Sequence, residues 1–325
     1  MNPVLLGAIV GLAAFAAGTV LLSPAAVVLW RLVERHRARL PAATAARWLF
    51  AARTLPAAGA AALALGLVVP AFVLHEPAGA SETAGAILVA CAVLAALLVA
   101  RGLARAWRSH RATAALVESW MDAARPLRLA GASIPAYRID SGFPLVAVTG
   151  IWQPRLLVGS RVLEACTDEE LALIVAHEQA HVGARDNLRR LLLDAVPDVL
   201  SGTAIGSAML RSWHDAAEEA ADERAVAAAS PSAACDLASA LVKVARLATA
   251  APPLPLPAST FFRGERLERR VRRLVEGPPV PSAAPPHRRR IAAAATAGAL
   301  AAGALSLDLL LAVHEITERL VALLP

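Results

Sequence analysis

Cysteine is scarce in this chain: there are 3, none in a C-x-x-C spacing, which argues against both a cysteine-held structural zinc and a dithiol redox motif. Charge is missing altogether from residues 3–30. An apolar run of that length can cross a bilayer, and it lacks the basic stretch that opens a cleaved signal peptide. Arginine is missing from the short segment between two further apolar runs, 55–74 and 83–100, which carries Glu76 and Glu82 instead. Cys91 falls within one of these runs, while Cys166 and Cys235 fall where a reducing compartment is expected and thiols stay unpaired. A cysteine nucleophile would need an oriented histidine, and the histidines have a better use.

What is present is apolar and basic. Apolar residues make up 57% of the 325 and the mean hydropathy is +0.55, too greasy for an ordinary soluble enzyme of this length. Six arginines lie between Arg31 and Arg53 and six more between Arg101 and Arg128. Positive residues stay on the cytoplasmic side of a membrane, so the N-terminus is expected outside and the region after residue 101 inside. His287-Arg288-Arg289-Arg290, just before a fourth, alanine-rich run at 291–313 that carries Asp308, fits the same orientation and puts the tail outside. The net charge of +6 then belongs with anionic lipid headgroups and not with direct nucleic-acid binding, for which no fold pattern is present.

The chemistry centres on His177-Glu178-Gln179-Ala180-His181, an H-E-x-x-H run. Two histidines at i and i+4 share one helix face and can hold one metal ion, with the glutamate placed to take a proton from a water beside it. Thr167-Asp168-Glu169-Glu170 reads as a capping box that starts this helix, and Leu171, Leu173, Ile174 and Val175 bury it before the histidines. Two ordinary histidines on a core helix would be the bland alternative.

A zinc site needs a third protein ligand and an open position for water. The alanine-rich, charged stretch from His214 to Arg224 is strongly helical and supplies candidates. Glu218 and Asp222 are one turn apart, so Glu218 would ligate while Asp222 would accept the spare ring N–H of a ligand histidine such as His177. Glu219 with Glu223 offers the same spacing one residue later and stays open on composition. An aspartate at i+4 matches the E-x-x-x-D motif and favours Glu218. A solvated acidic face would explain the run without any metal.

The stretch from Ala147 to Asn187 resembles the BlaR/MecR family of integral-membrane zinc metallopeptidases. The likeness includes Gly150-Ile-Trp-Gln-Pro154-Arg155, the Thr-Asp-Glu-Glu-Leu helix start, and Arg185-Asp186-Asn187 after the second histidine. Glu218 to Asp222 and the basic Arg269-Arg270-Val271-Arg272-Arg273-Leu274 fit as well, so the resemblance covers roughly residues 130–275. It implies a mainly α membrane protein of about four transmembrane helices, with a cytoplasmic, zincin-like α+β peptidase domain between the third and fourth. The corresponding parts are 1–100 (membrane region), 101–250 (peptidase domain), 251–290 (Pro-rich linkers around a basic helix) and 291–325 (fourth helix and short outer tail). It further implies Zn²⁺ as cofactor and a signalling protease that cuts itself or leads to loss of a transcriptional repressor. The tail carries no S-x-x-K serine motif, so a penicillin-binding sensor is not expected.

In the mechanism this set implies, zinc on His177, His181 and Glu218 activates a water, with Glu178 as general base and then general acid. His214, one turn before Glu218, is a candidate transition-state stabiliser, against the commoner role of a structural hydrogen-bonder. Asp186 and Asn187 read as braces at the helix end. Leu145–Thr149 and Arg155–Val158 read as a hairpin that either receives substrate as an added strand or merely covers the core. Residues 188–211, with Asp194, Pro197 and Asp198, read as a buried or interfacial helix and not as another span. Two other classes remain open: a quality-control or prenyl-protein type of membrane peptidase, and a non-catalytic membrane scaffold.

Overall fold

A computed structural model describes residues 3–75, 84–140, 145–227, 229–230, 232–249, 264–277 and 307–322. The expectations for the 76–83 turn, the Pro-rich linkers, the His287–Arg290 cluster and most of the run at 291–313 lie outside these residues. The protein is mainly helical, with one small sheet.

Three helical stretches are long and apolar enough to cross a membrane: Val4–Arg39, Ala42–His75 and Ala86–Met121. They comprise α1 (Pro3–His36), α2 (Ala42–Leu63) running through a π turn at Ala64–Val68 into α3 (Val69–His75), and α4 (Ala86–Met121). The π turn has a local cause. Pro70 has no N–H to give to the Gly66 carbonyl and its ring crowds that group, so the ladder must widen just ahead of it. Helices α1 and α2 approach closely over small side chains: a Cβ on Gly18 would lie 2.9 Å from the Ala60 Cβ. Small residues at a crossing maximise backbone contact where no hydrophobic drive separates helix from lipid. Helix α4 continues without a break beyond its apolar part.

The chain then forms β1 (Arg125–Leu127), β2 (Ala136–Ile139), β3 (Val146–Thr149) and β4 (Arg155–Gly159), in the order β1-β2-β4-β3. The expected hairpin is β3–β4, antiparallel, with Val148 opposite Leu156. Two further strands flank it, β2 pairing parallel with β4 and β1 antiparallel with β2. Leu156 and Val158 of β4 pack against Leu171, Ile174 and Val175 of the helix at Asp168–Ala184, which anchors the histidine helix to the sheet.

Helices α5 (Ser160–Ala165), α6 (Asp168–Ala184), α7 (Asp186–Ala195), α8 (Ala204–Val226), α9 (Ala233–Thr249), α10 (Gly264–Glu276) and α11 (Leu307–Ala322) complete the described structure. Residues 188–211 are two helices and a loop, not one helix. Pro197 cannot donate into a continuing ladder, and Thr203 caps a fresh start by accepting from Gly206 N–H at 3.0 Å. The loop enters the apolar bundle: Val196 packs with Phe15, Ala57 and Ala95. There Arg53 donates to Asp198 at 2.6 Å and to Ser201 at 2.8 Å, so the buried carboxylate is fully compensated. From this base α8 rises along α2, with Trp213, Ala216 and Ala217 against Ala45, Ala46 and Leu49. One rigid helix thus joins the apolar bundle to the acidic residues considered next.

Candidate metal centre

The start of α6 has the capping box read from the sequence. Thr167 Oγ1 accepts from Glu170 N–H at 3.3 Å, and the Glu170 carboxylate accepts from Thr167 N–H at 3.0 Å. Ten residues on, the helix face carries His177 and His181, whose Nε2 atoms are 3.2 Å apart. Helix α8 brings a carboxylate to the same point: Glu218 Oε2 lies 3.5 Å from His177 Nε2 and Glu218 Oε1 lies 3.6 Å from His181 Nε2. One donor atom from each of the three residues falls within 4.8 Å of the others, a grouping that could hold a metal ion.

A carboxylate also stands at the far nitrogen of each ring. His177 Nδ1 lies 2.9 Å from Asp222 Oδ1, one turn beyond Glu218 on α8. His181 Nδ1 lies 2.8 Å from Asp186 Oδ2. A carboxylate at Nδ1 fixes the tautomer that leaves Nε2 free for a cation, so the donor set suits a tetrahedral N, N, O site with a fourth position for water. Asp186 reaches back because Arg185 adopts a left-handed conformation (φ 55°), which ends α6 and starts α7 in one residue. The sequence marks Asp186 only as a brace; its contact with His181 depends on that turn.

Electrostatics show how much positive charge the carboxylates demand. Burial alone would lower the His177 pKa, but Asp222 and Glu218 outweigh it and push it up to about 10. Burial would raise the Glu218 carboxyl, yet Arg270 and the two histidines hold it well below the ordinary range. Asp222 is likewise held down to about 2, against burial, chiefly by Arg270. The pocket is therefore built around ionised carboxylates in a buried place, which is stable only with cations among them.

Glu178 points to the sheet. Its Oε2 accepts from Val148 N–H at 3.0 Å, and Asn187 Nδ2 donates to the carbonyls of Val148 (3.1 Å) and Gly150 (3.0 Å). The edge strand β3 is thereby pinned beside the histidine helix. His214 lies one turn before Glu218 and outside the three-residue grouping. Burial and Arg190 push its pKa down to about 3, which leaves a neutral ring.

The alternative acidic frame sits elsewhere. Glu219 is buried against Arg37 (3.1 Å), Arg269 (3.3 Å) and Arg273 (3.7 Å). Glu223 accepts from Arg273 and from Ala42 N–H at 3.0 Å. Alternate acids on α8 thus face two directions, one toward the histidines and one toward arginines. Arg270, which grips both Glu218 and Asp222, has no signal in the sequence beyond its place in a basic run.

A model of the BlaR1 peptidase M56 family matches residues 71–274. No curated protein matched the chain. The family match covers the histidine helix, the acidic helix and the arginine helix α10, and it extends over more than half of the chain: this protein belongs to the BlaR1 peptidase M56 family of metallopeptidases.

Proposed function

We propose that this protein is a membrane-embedded zinc endopeptidase with a regulatory protein substrate. The observation that carries the reading is the convergence of His177 Nε2, His181 Nε2 and the Glu218 carboxylate beside Glu178 of the same helix. His177, His181 and Glu218 would hold the ion. When bound, zinc makes a water acidic enough to attack near neutral pH and polarises the scissile carbonyl. Glu178 takes the proton of the attacking water and delivers it to the leaving amine nitrogen. Asp222 and Asp186 keep the two imidazoles turned with Nε2 inward. His214, neutral and one turn from Glu218, would donate a ring N–H to the developing oxyanion.

Substrate would lie extended along β3, whose outer edge faces the histidine helix. A peptide added there would take over the Val148 amide and carbonyl from Glu178 and Asn187, which frees the Glu178 carboxylate within reach of the scissile bond. The arginine distribution supports a peptidase domain on the cytoplasmic side and an N-terminus outside, with the lipid bilayer as a permanent partner. The substrate would be a transcriptional repressor or this chain itself. A cysteine introduced at Thr113, in a chain stripped of its own three, tests sidedness: membrane-impermeant label should react only after permeabilisation.

The direct test of function compares cleaved proteins in cells carrying the native chain and Glu178→Gln. A regulatory peptidase gives a small set of fragments that vanish with the variant. Broad turnover of misfolded membrane proteins would favour the quality-control reading, and identical fragment patterns would reject the protease.

A further inference from the structure

Helix α10 lies across the acidic face of α8 and meets it with four arginines. Three of these pair with the other acids of α8, Asp215, Glu219 and Glu223. Arg266 and Arg269 meet Asp215, and Arg273 meets Glu223 at 2.7 Å. Arg270 differs from them in place and in partners. Its Nε and Nη2 donate to both oxygens of Asp222, at 2.7 and 2.8 Å, while Nη1 lies 3.1 Å from Glu218 Oε2. A single planar guanidinium therefore spans the carboxylate facing both histidine Nε2 atoms and the one facing His177 Nδ1. Arg273, one turn on, donates to the Leu40 carbonyl at 2.8 Å, in the turn between α1 and α2. Arg37 of that turn reaches Glu219 on α8 at 3.1 Å. Helix α10 is thus fastened at one point to the apolar bundle and at the next to the candidate site.

We propose that Arg270 is a positioning residue for the metal centre, and that α10 couples the setting of Glu218 and Asp222 to the α1–α2 turn. The proposal rests on the metallopeptidase reading above. Two buried carboxylates one turn apart repel each other, and without a shared cation one of them is driven to turn away. A guanidinium matches this task because its fork serves Asp222 bidentately while a third N–H reaches Glu218. Lysine, a point charge, cannot do both. The opposing effect is also definite: a fixed positive charge beside a dication repels it. Three contacts at 3.1 Å or less, all to the carboxylates and none to a histidine, make the ordering effect the larger.

The test is metal affinity, measured on the full-length, detergent-solubilised chain by chelator competition with Zn²⁺ and by the absorption spectrum of bound Co²⁺. Arg270→Ala should lose about 10–100-fold in affinity, the usual effect of removing a residue that orients ligands. Millimolar guanidinium should restore much of it, and Arg270→Lys should fall between. Arg269→Ala, on the same helix but away from both carboxylates, should bind as the native chain does, which separates positioning from general loosening of α10. Arg273→Ala, which touches neither carboxylate, should weaken binding and alter the Co²⁺ spectrum through its tie to Leu40. Unchanged or tighter binding by Arg270→Ala, or loss that guanidinium does not reverse, overturns the positioning role. Unchanged binding by Arg273→Ala overturns the coupling. A native chain that binds no metal at all rejects the metallopeptidase reading itself, a result distinct from either.

Discussion

Glu178 accepts a hydrogen bond from the Val148 amide of the edge strand at 3.0 Å, so the proposed base and the proposed substrate platform are one unit. Glutamine keeps the acceptor and loses the basicity. Glu178→Gln should therefore fold, bind metal as the native chain does, and lose about 10²–10⁴-fold in cleavage rate. Metal content together with turnover of an identified substrate checks this, and retained turnover would reject Glu178 as the base.

The two aspartates at the ring Nδ1 atoms act on the metal through the histidines. Asp222→Asn and Asp186→Asn should each lower zinc affinity by about 10–100-fold while leaving the secondary structure intact. Chelator competition beside a circular dichroism spectrum measures both. Native affinity in Asp186→Asn would mean that its contact with His181 is incidental.

Acid should loosen the histidine helix from its partners. Burial raises the Glu170 pKa, but Lys243, the Thr167 amide and Ser239 outweigh it and hold the carboxyl below its ordinary value of 4.5. A group with a depressed folded-state pKa stabilises the fold fully above its unfolded value and loses that contribution as pH falls through the folded one. Thermal midpoints taken from pH 7 to pH 3 should fall more steeply in the native chain than in Glu170→Gln. Equal slopes would show that the Lys243 pair contributes nothing.

Arg53 and Asp198 form a buried pair where the 196–203 loop enters the apolar bundle. Removing one partner leaves an uncompensated charge, so Asp198→Ala should cost about 3–5 kcal/mol. The double variant Arg53→Met, Asp198→Leu should recover most of that stability. Equal stability of Asp198→Ala and the native chain would indicate that water reaches the site.

Local signals were the legible ones. The capping box at Thr167, the i, i+4 histidines and the turn chemistry around Gly150–Pro154 each act within a few residues, and the α6 helix and β3–β4 hairpin follow from them. Strands β1 and β2 are too short, at 3 and 4 residues, to show a period of their own. Residues 188–211 read as one helix in the sequence, and the break at Pro197 follows only once the Arg53–Asp198 pair is seen to pull the loop inward. The choice between Glu218 and Glu219 depends on which acids meet the histidines and which meet arginines. Those arginines are Arg37, 182 residues before Glu219, and Arg269 and Arg273 on α10, about 50 residues after it, so no local pattern carries that information.

The most direct measurement is the zinc content of the purified native chain beside Glu218→Gln and Glu219→Gln. The account predicts one ion per native chain, near-complete loss in Glu218→Gln, and full occupancy in Glu219→Gln, whose cost of about 1–3 kcal/mol falls on stability instead. A metal-free native chain, or zinc lost from Glu219→Gln and kept by Glu218→Gln, would contradict it.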